Sequence, residues 1–327
     1  GTLLCGFANS LETLLLFRII TGLGIGGEWA AGQTFVCEIF PPCSRGRFGA
    51  IMQTGAPFGI LLASFVGGFL SPIIGWRLCF ILSALPALLV LFIRKNLPES
   101  DLWKEKSMGN PEYGNLKPRN TSYGFKLLLS RKYRYMFLYS LVLAILGMSA
   151  YWFCYSWLPE YLYLDRSLSL SKSTTWMIIA QIGGIIGYFS FGYITDHIGR
   201  RITFSIYTGI MALGLVMITL LWNLFEANPI IILGSLVLVG FGTGFFGGYG
   251  PIFSELFPTA IRNMASGTAF NLARGIQLVT PILVVYIGQF ADLGTGIVIG
   301  ALFAIAAGIW IWVFPETKGR DLKELDL

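Results

Sequence analysis

Glu255-Leu256-Phe257-Pro258-Thr259-Ala260-Ile261-Arg262 repeats a pattern met 217 positions earlier, where Glu38-Ile39-Phe40-Pro41 is followed by Arg45 at the same distance. A second landmark keeps the same offset: Pro98-Glu99-Ser100 recurs as Pro315-Glu316-Thr317, so nothing is inserted or deleted between them. Each pair of landmarks brackets two long apolar stretches. Solenoid units repeat every ~20–50 residues, far less than this period. The spacing therefore reads as two related membrane halves.

Composition agrees. Of 327 residues, 55% are apolar and only 12% charged, with a mean hydropathy of +0.69; soluble domains carry about 25% charged residues. The 40 glycines suit helix contacts in a bilayer, where small residues let backbones approach. The net charge of +6 by itself would suit nucleic acid, but the basic residues cluster between apolar runs, which the positive-inside effect explains better. Cys5, Cys37, Cys43, Cys79 and Cys154 have no metal-ligand or redox-motif spacing and are expected to be unpaired. The one histidine lies outside the apolar runs, which supports neither a metal site nor a Ser-His pair, so the chain is not expected to be an enzyme.

Apolar runs of the ~20 residues needed to cross a hydrocarbon core place nine spans, near 12–38, 50–72, 78–94, 134–157, 174–195, 202–223, 229–254, 264–288 and 294–314. Residues 1–8 read as the tail of an earlier span, and the repeat implies that further helices precede them, making the chain an N-terminal truncation. If the basic 95–133 loop and every second loop from it are cytoplasmic, that side holds 18 of the 23 Lys and Arg residues. A short surface helix is expected at 124–134.

Glu38, Glu99, Glu255 and Glu316 fall at the cytoplasmic C-terminal ends of spans. An acid there opposes the helix dipole unless a cation compensates. Arg45, Arg47, Arg200, Arg201 and Arg262 lie on the same side, which predicts a belt of Glu–Arg pairs; solvated interfacial charge is the alternative. Gly192-Tyr193-Ile194-Thr195-Asp196-His197-Ile198-Gly199-Arg200-Arg201 forms a tight turn between two spans, more specific than a generic basic loop.

These motifs resemble the major facilitator superfamily, whose helix 8–9 loop carries G-x-x-x-D-x-x-G-R-R. Arg18-Ile-Ile-Thr-Gly22 is similar to its helix 4 R-x-x-x-G motif, and Pro315-Glu-Thr-Lys-Gly319 to its PETKG ending. The resemblance implies an all-α polytopic fold of two pseudo-symmetric six-helix halves, with helices 4–12 present. Residues 1–94 would form part of the N-terminal half (the end of helix 3 and helices 4–6). Residues 95–133 would form the inter-half loop, and 134–327 the C-terminal half and tail. It implies a cytoplasmic gate in which Glu255 pairs with Arg200 or Arg201, Arg262 with Glu316, and Arg45 with Glu99, with Asp196 in the turn. Glu38 is then left to Arg45, Arg47 or water.

Arg18, Glu28 and Arg274 lie inside spans, where charge is costly and marks function by default. Glu28, in Gly-Gly-Glu-Trp near mid-depth, is the expected proton carrier or else the structural partner of a buried arginine. Arg18 lies nearer the outer face, where the family motif implies a part in proton coupling, or where it snorkels to the interface. Arg274 is the expected anion site, because a guanidinium forks onto a carboxylate with two hydrogen bonds. Asn271, Gln277, Gln53 and Gln181 are candidate substrate amides or helix–helix hydrogen bonds. Tyr151, Trp152, Tyr155 and Trp157 form an outer aromatic cluster, read as an interfacial belt or an outer gate, and Tyr151 and Trp152 are candidates for substrate contact.

The sugar-porter motif on helix 7 is replaced by Leu141-Val-Leu-Ala-Ile-Leu-Gly147, and the helix 5 place holds Ile60. Gly-Gly-Glu-Trp, Trp-Leu-Pro-x-Tyr-Leu and Ala-Arg-Gly resemble the proton symporters of organic acids, including sialate and metabolite carriers. The resulting expectation is a monomer in the plasma membrane that moves an organic anion by alternating access. The proton is the coupling ion, and there is no other cofactor and no nucleic acid. A neutral sugar or polyol carrier, and a sensor that binds without transport, are the alternatives.

Overall fold

The computed structural model describes residues 1–90, 121–290, 292–322 and 325, and these contain helices and no strand. The first half supplies α1 (Leu11–Ile39), α2 (Arg45–Gln53), α3 (Gly55–Phe65) and α4 (Ser71–Leu82). The second supplies α5 (Arg134–Tyr155), α6 (Leu170–Ile198), α7 (Arg200–Ile218), α8 (Pro229–Gly242), α9 (Phe246–Ser254), α10 (Thr259–Ile276), α11 (Thr280–Gly288) and α12 (Leu293–Trp310). Polar residues set the starts. Ser10 and Thr13 form a reciprocal capping box ahead of α1, Ser169 accepts from the Lys172 N–H at 3.3 Å ahead of α6, and Asp292 accepts from the Thr295 N–H at 3.0 Å ahead of α12.

Eight stretches of the described residues are long and apolar enough to cross a membrane. One of them, Arg45–Val90, has 46 residues. At ~1.5 Å per residue it would run ~70 Å as one rod, against a core of ~30 Å. Gly75 breaks it, with φ 81° and ψ 155° inside α4. The break falls between the expected spans 50–72 and 78–94, which reconciles eight stretches with nine spans. The last residues of the latter span and most of the inter-half loop lie outside the described residues.

The surface helix expected at 124–134 instead occupies Thr121–Leu128. Turns closed by Ser130 N–H to Leu127 O at 3.1 Å and Tyr133 N–H to Ser130 O at 3.2 Å end it before α5 begins. Residues 1–8, expected as the tail of a span, hold the short helix Thr2–Cys5, packed on α4.

The second half forms the denser core. There α8 packs on α6 and α7, and α12 on α5 and α7, burying Phe204, Met211, Leu215, Leu236, Val239 and Ala304 completely or nearly so. The first half docks on it through α2 and α3 against α6, α2 against α9, and α1 against α9 and α10. Gly192 permits a close approach of backbone to backbone here, since a Cβ added there would stand 2.8 Å from the Arg47 Cα. The repeat is visible in atoms: Arg45 Nε donates to Cys37 O at 2.8 Å, and Arg262 Nε donates to Ser254 O at 2.9 Å, each pair 217 positions from the other.

Candidate functional site

A cavity of about 150 Å³ lies where the halves meet. Gln53, Ala56, Pro57 and Ile60 line it from the first half; Met148, Tyr151, Trp152, Gln181, Tyr188, Thr243, Phe246, Phe270 and Arg274 line it from the second. The wall is mostly aromatic and aliphatic, with few polar groups, the usual make-up of a small-molecule pocket. Tyr151 stacks on Tyr155 at 4.4 Å between centroids and meets Phe246 edge-on at 5.5 Å. The outer aromatic cluster thus turns two members, Tyr151 and Trp152, toward the cavity, while Trp157 donates to Pro281 O at 3.1 Å.

Arg274 is the one cation among the described residues that line the cavity. Its guanidinium lies over the Phe270 ring at 5.2 Å and makes no hydrogen bond among the described residues. An arginine has five N–H donors and no acceptor, so this one brings unused hydrogen-bond donors to the cavity wall. Glu28 is close enough to act on it electrostatically, but its own side chain is exposed on an uncovered face of α1 rather than enclosed by helix packing as expected. The reason is register: α1 turns Trp29, Ala30 and Gln33 toward its neighbours, which places Glu28 on the flank. Arg18 is also exposed, over the Phe80 ring at 5.0 Å.

Of the four candidate amides, two face the cavity. Gln53 and Gln181 line it. Asn271 donates to Gly26 O at 2.8 Å, an inter-helix hydrogen bond between α10 and α1. Gln277 is engaged elsewhere, accepting from Thr280 Oγ1 at 2.7 Å and Ser149 Oγ at 3.3 Å and donating to Ala273 O at 3.2 Å. Phe246, Phe270, Tyr188 and Thr243 escaped the sequence reading. A signal for one existed: the 217-residue offset maps Gln53 onto Phe270, and it maps Pro57 onto Arg274.

At the end bearing the basic loops, the charged landmarks converge. Arg200, 2% exposed, forks onto Glu255, 0% exposed, with Nη2 to Oε1 at 2.9 Å and Nε to Oε2 at 3.2 Å, and reaches Asp196 at 2.7 Å. Thr317 Oγ1 donates to the same Glu255 at 2.6 Å. This is the expected Glu255–Arg200 pair. Other expected partners are corrected. Arg262 pairs not with Glu316 but across the halves with Glu38 at 3.2 Å, which also replaces the expected choice of Arg45, Arg47 or water for Glu38. Arg45 donates to Cys37 O and, at 2.8 Å, to Arg320 O of the tail; Glu99 lies outside the described residues.

Two carboxylates serve helix starts instead of arginine side chains alone. Asp196 accepts from the Gly46 and Arg47 N–H groups at 3.0 and 2.8 Å, capping α2 of the opposite half, whose own N-cap Ser44 supplies no side-chain bond. Glu316 accepts from the Arg200, Arg201, Thr317 and Lys318 N–H groups at 2.9–3.2 Å. Burial raises its carboxyl, but these donors outweigh that and hold it below the ordinary value. Gly199, at φ 104°, makes the turn that presents the α7 start to it. Arg201 stacks over Trp312 at 4.5 Å, and His197 lies against Tyr193.

A bundle of apolar helices in two repeated halves, with a cavity on their seam and a charged layer at one end, defines a polytopic membrane carrier. The family model for the Major Facilitator Superfamily matches residues 1–276, and the chain belongs to that family of transporters. It is 30% identical to the probable 4-methylmuconolactone transporter of Cupriavidus pinatubonensis, over 98% of this chain and 73% of that one. It is 29% identical to a putative metabolite transport protein of Haemophilus influenzae, over 98% and 77%. The solved proton:xylose symporter XylE, bound to 6-bromo-6-deoxy-D-glucose, superposes with a TM-score of 0.75 over 96% of this chain and 74% of that one. At 23% identity this supports the fold alone.

Proposed function

We propose that this transporter carries a small organic carboxylate, in symport with a proton, by alternating access in the plasma membrane. The observation that carries the reading is Arg274: a guanidinium facing an otherwise aromatic cavity with no hydrogen-bonded partner among the described residues. A carboxylate fits its fork with two parallel charge-assisted bonds. A cavity of about 150 Å³ has the size that accepts a single six-membered ring, and the rings of Tyr151, Trp152, Tyr188 and Phe270 suit a flat body. The 4-methylmuconolactone relative points to small organic substrates of that kind. Glu28 is the proposed proton carrier, because it is an acid within a membrane span and stands close enough to Arg274 to act on it electrostatically. The latch of Asp196, Arg200, Glu255, Glu38 and Arg262 is the proposed cytoplasmic gate, closed in this state.

The test is uptake in proteoliposomes of labelled benzoate, nicotinate and 4-methylmuconolactone, with internal pH recorded. The expected outcome is uptake of at least one acid with proton entry. Arg274→Ala should lower its binding by two orders of magnitude or so, the scale of a lost charge-assisted pair, and Glu28→Gln should retain exchange but lose accumulation driven by a pH gradient. Unchanged uptake in Arg274→Ala would remove the anion site.

A further inference from the structure

The carbonyl of Gln53, a residue lining the cavity, is occupied by two donors. Trp29 Nε1 donates to Gln53 Oε1 at 2.8 Å, and Gln33 Nε2 donates to the same oxygen at 3.1 Å. All three side chains are buried, at 5%, 1% and 9% exposure for Trp29, Gln33 and Gln53. Neither donor can be exchanged for an acceptor. An indole nitrogen only donates, and Gln33 cannot turn over, since its Nε2 also donates to the Gly49 carbonyl at 3.3 Å and a reversed amide would set two oxygens together. Gly250 leaves the space in which the Gln33 oxygen rests, for a Cβ there would fall on it. The order is thus fixed from the backbone outward: Gly49 carbonyl, Gln33 amide, Gln53 carbonyl. What remains for the cavity is the Gln53 NH₂, which makes no hydrogen bond among the described residues and belongs to a residue lining that cavity.

Trp29 is held in turn from the other half. Its ring lies face to face on Phe270, with centroids 3.6 Å apart and planes within 6°, and Phe270 carries the Arg274 guanidinium on its ring. One continuous line therefore runs from Arg274 through Phe270 and Trp29 to Gln53 and Gln33. Its polar ends, as presented to the cavity, are both donors.

From this geometry we infer that Trp29 and Gln33 are positioning residues that lock Gln53 as a second hydrogen-bond donor for the substrate's carboxylate, setting selectivity for the acid over its uncharged amide. The inference rests on the carboxylate reading above and deepens it. An amide free to turn would offer carbonyl or NH₂ alike, and would accept a bond from a primary amide as readily as donate one to an acid. Locked, it serves only acceptors.

Equilibrium dialysis of the full chain in lipid nanodiscs measures this, with labelled benzoate against benzamide and nicotinate against nicotinamide. Trp29→Phe keeps the stack on Phe270 and removes only the N–H; Gln33→Met keeps the length and removes the second donor. Each should reduce the acid-to-amide preference by about tenfold, the scale of one hydrogen bond to a charged group, chiefly through weaker acid binding. Because both act through Gln53, Trp29→Phe added to Gln53→Met should change the preference no further than Gln53→Met alone. Three results overturn the inference: acid preference kept in both single variants, equal weakening of acid and amide, or additive effects of Trp29→Phe and Gln53→Met. If benzoate and nicotinate bind the unmodified chain and only Arg274→Ala abolishes that, the Gln53 lock alone fails. If neither acid binds the unmodified chain, the carboxylate reading fails and the lock with it.

Discussion

Arg200 and Glu255 show what a repeated motif is worth at a single residue. Both are almost wholly buried, and the fork between them is supplemented by Asp196 and Thr317. A buried pair of this kind costs several kcal/mol of desolvation per ion, so its net contribution to stability is small while its disruption is not. Glu255→Gln should therefore cost roughly 3–5 kcal/mol, because it strands the arginine charge. Arg200→Met with Glu255→Met should cost markedly less than either single change. Thermal unfolding of the unmodified chain and these variants in nanodiscs decides this; equal destabilisation by the single and double variants would mean that packing, and not charge, sets the cost. Arg200, however, also keeps Asp196 beside the α2 start, so the double variant is expected to loosen the contact between halves even where it spares stability.

Elements show where sequence was sufficient and where it was not. The 217-residue offset identified equivalent helices, and the structure returns it as two arginines anchored on equivalent carbonyls, Cys37 and Ser254. What the offset could not supply is what lies across the axis. Arg262 and Arg45 each hold their own half with Nε and reach into the other with Nη1, to Glu38 and to the tail carbonyl of Arg320. An acid at a helix C-terminus seemed to require a cation, and for Glu316 that expectation failed for a definite reason: Gly199 turns the chain so that the α7 start, with its free N–H groups, faces the carboxylate. In the cavity, Arg274 was legible because charge is rare at that depth, whereas Trp29 and Phe270 looked like ordinary core. The Glu316 contact has a pH signature. Its carboxyl sits below the ordinary value in the folded chain, so the contact contributes fully above the unfolded carboxylate value of about 4.3 and is lost as pH falls through the lower folded one. Amide hydrogen exchange at Arg200, Arg201 and Lys318, corrected for intrinsic rates, should accelerate as the pH falls below 4 or so, and Glu316→Gln should flatten that dependence. Protection unchanged down to the acid limit would show that the tail is held by Thr317 and Lys318 without the charge.

For the molecule as a whole, the proposed gate at the basic end implies that the cavity is reached from the opposite side. The connection between halves there rests on Glu38 with Arg262, on Asp196 capping α2, and on Arg45 with the tail. On the proposed reading, the Lys and Arg distribution orients this layer toward the cytoplasm. Cys43 supplies an internal marker, being the one exposed cysteine among the described five and lying in the loop between α1 and α2 at that end. Ala56 lines the cavity and is itself exposed. An impermeant maleimide added to right-side-out vesicles should label Ala56→Cys and leave Cys43 untouched, and inside-out vesicles should give the reverse. Opening the latch changes only one of these. Glu38→Arg or Arg262→Glu places like charges against each other, so either should expose Ala56→Cys to reagent from the cytoplasmic side, while the two changes together restore the pair and the protection. Restoration by the double change is the discriminating outcome: general loosening of the bundle would leave Ala56→Cys open in all three, and a gate made elsewhere would leave it closed in all three.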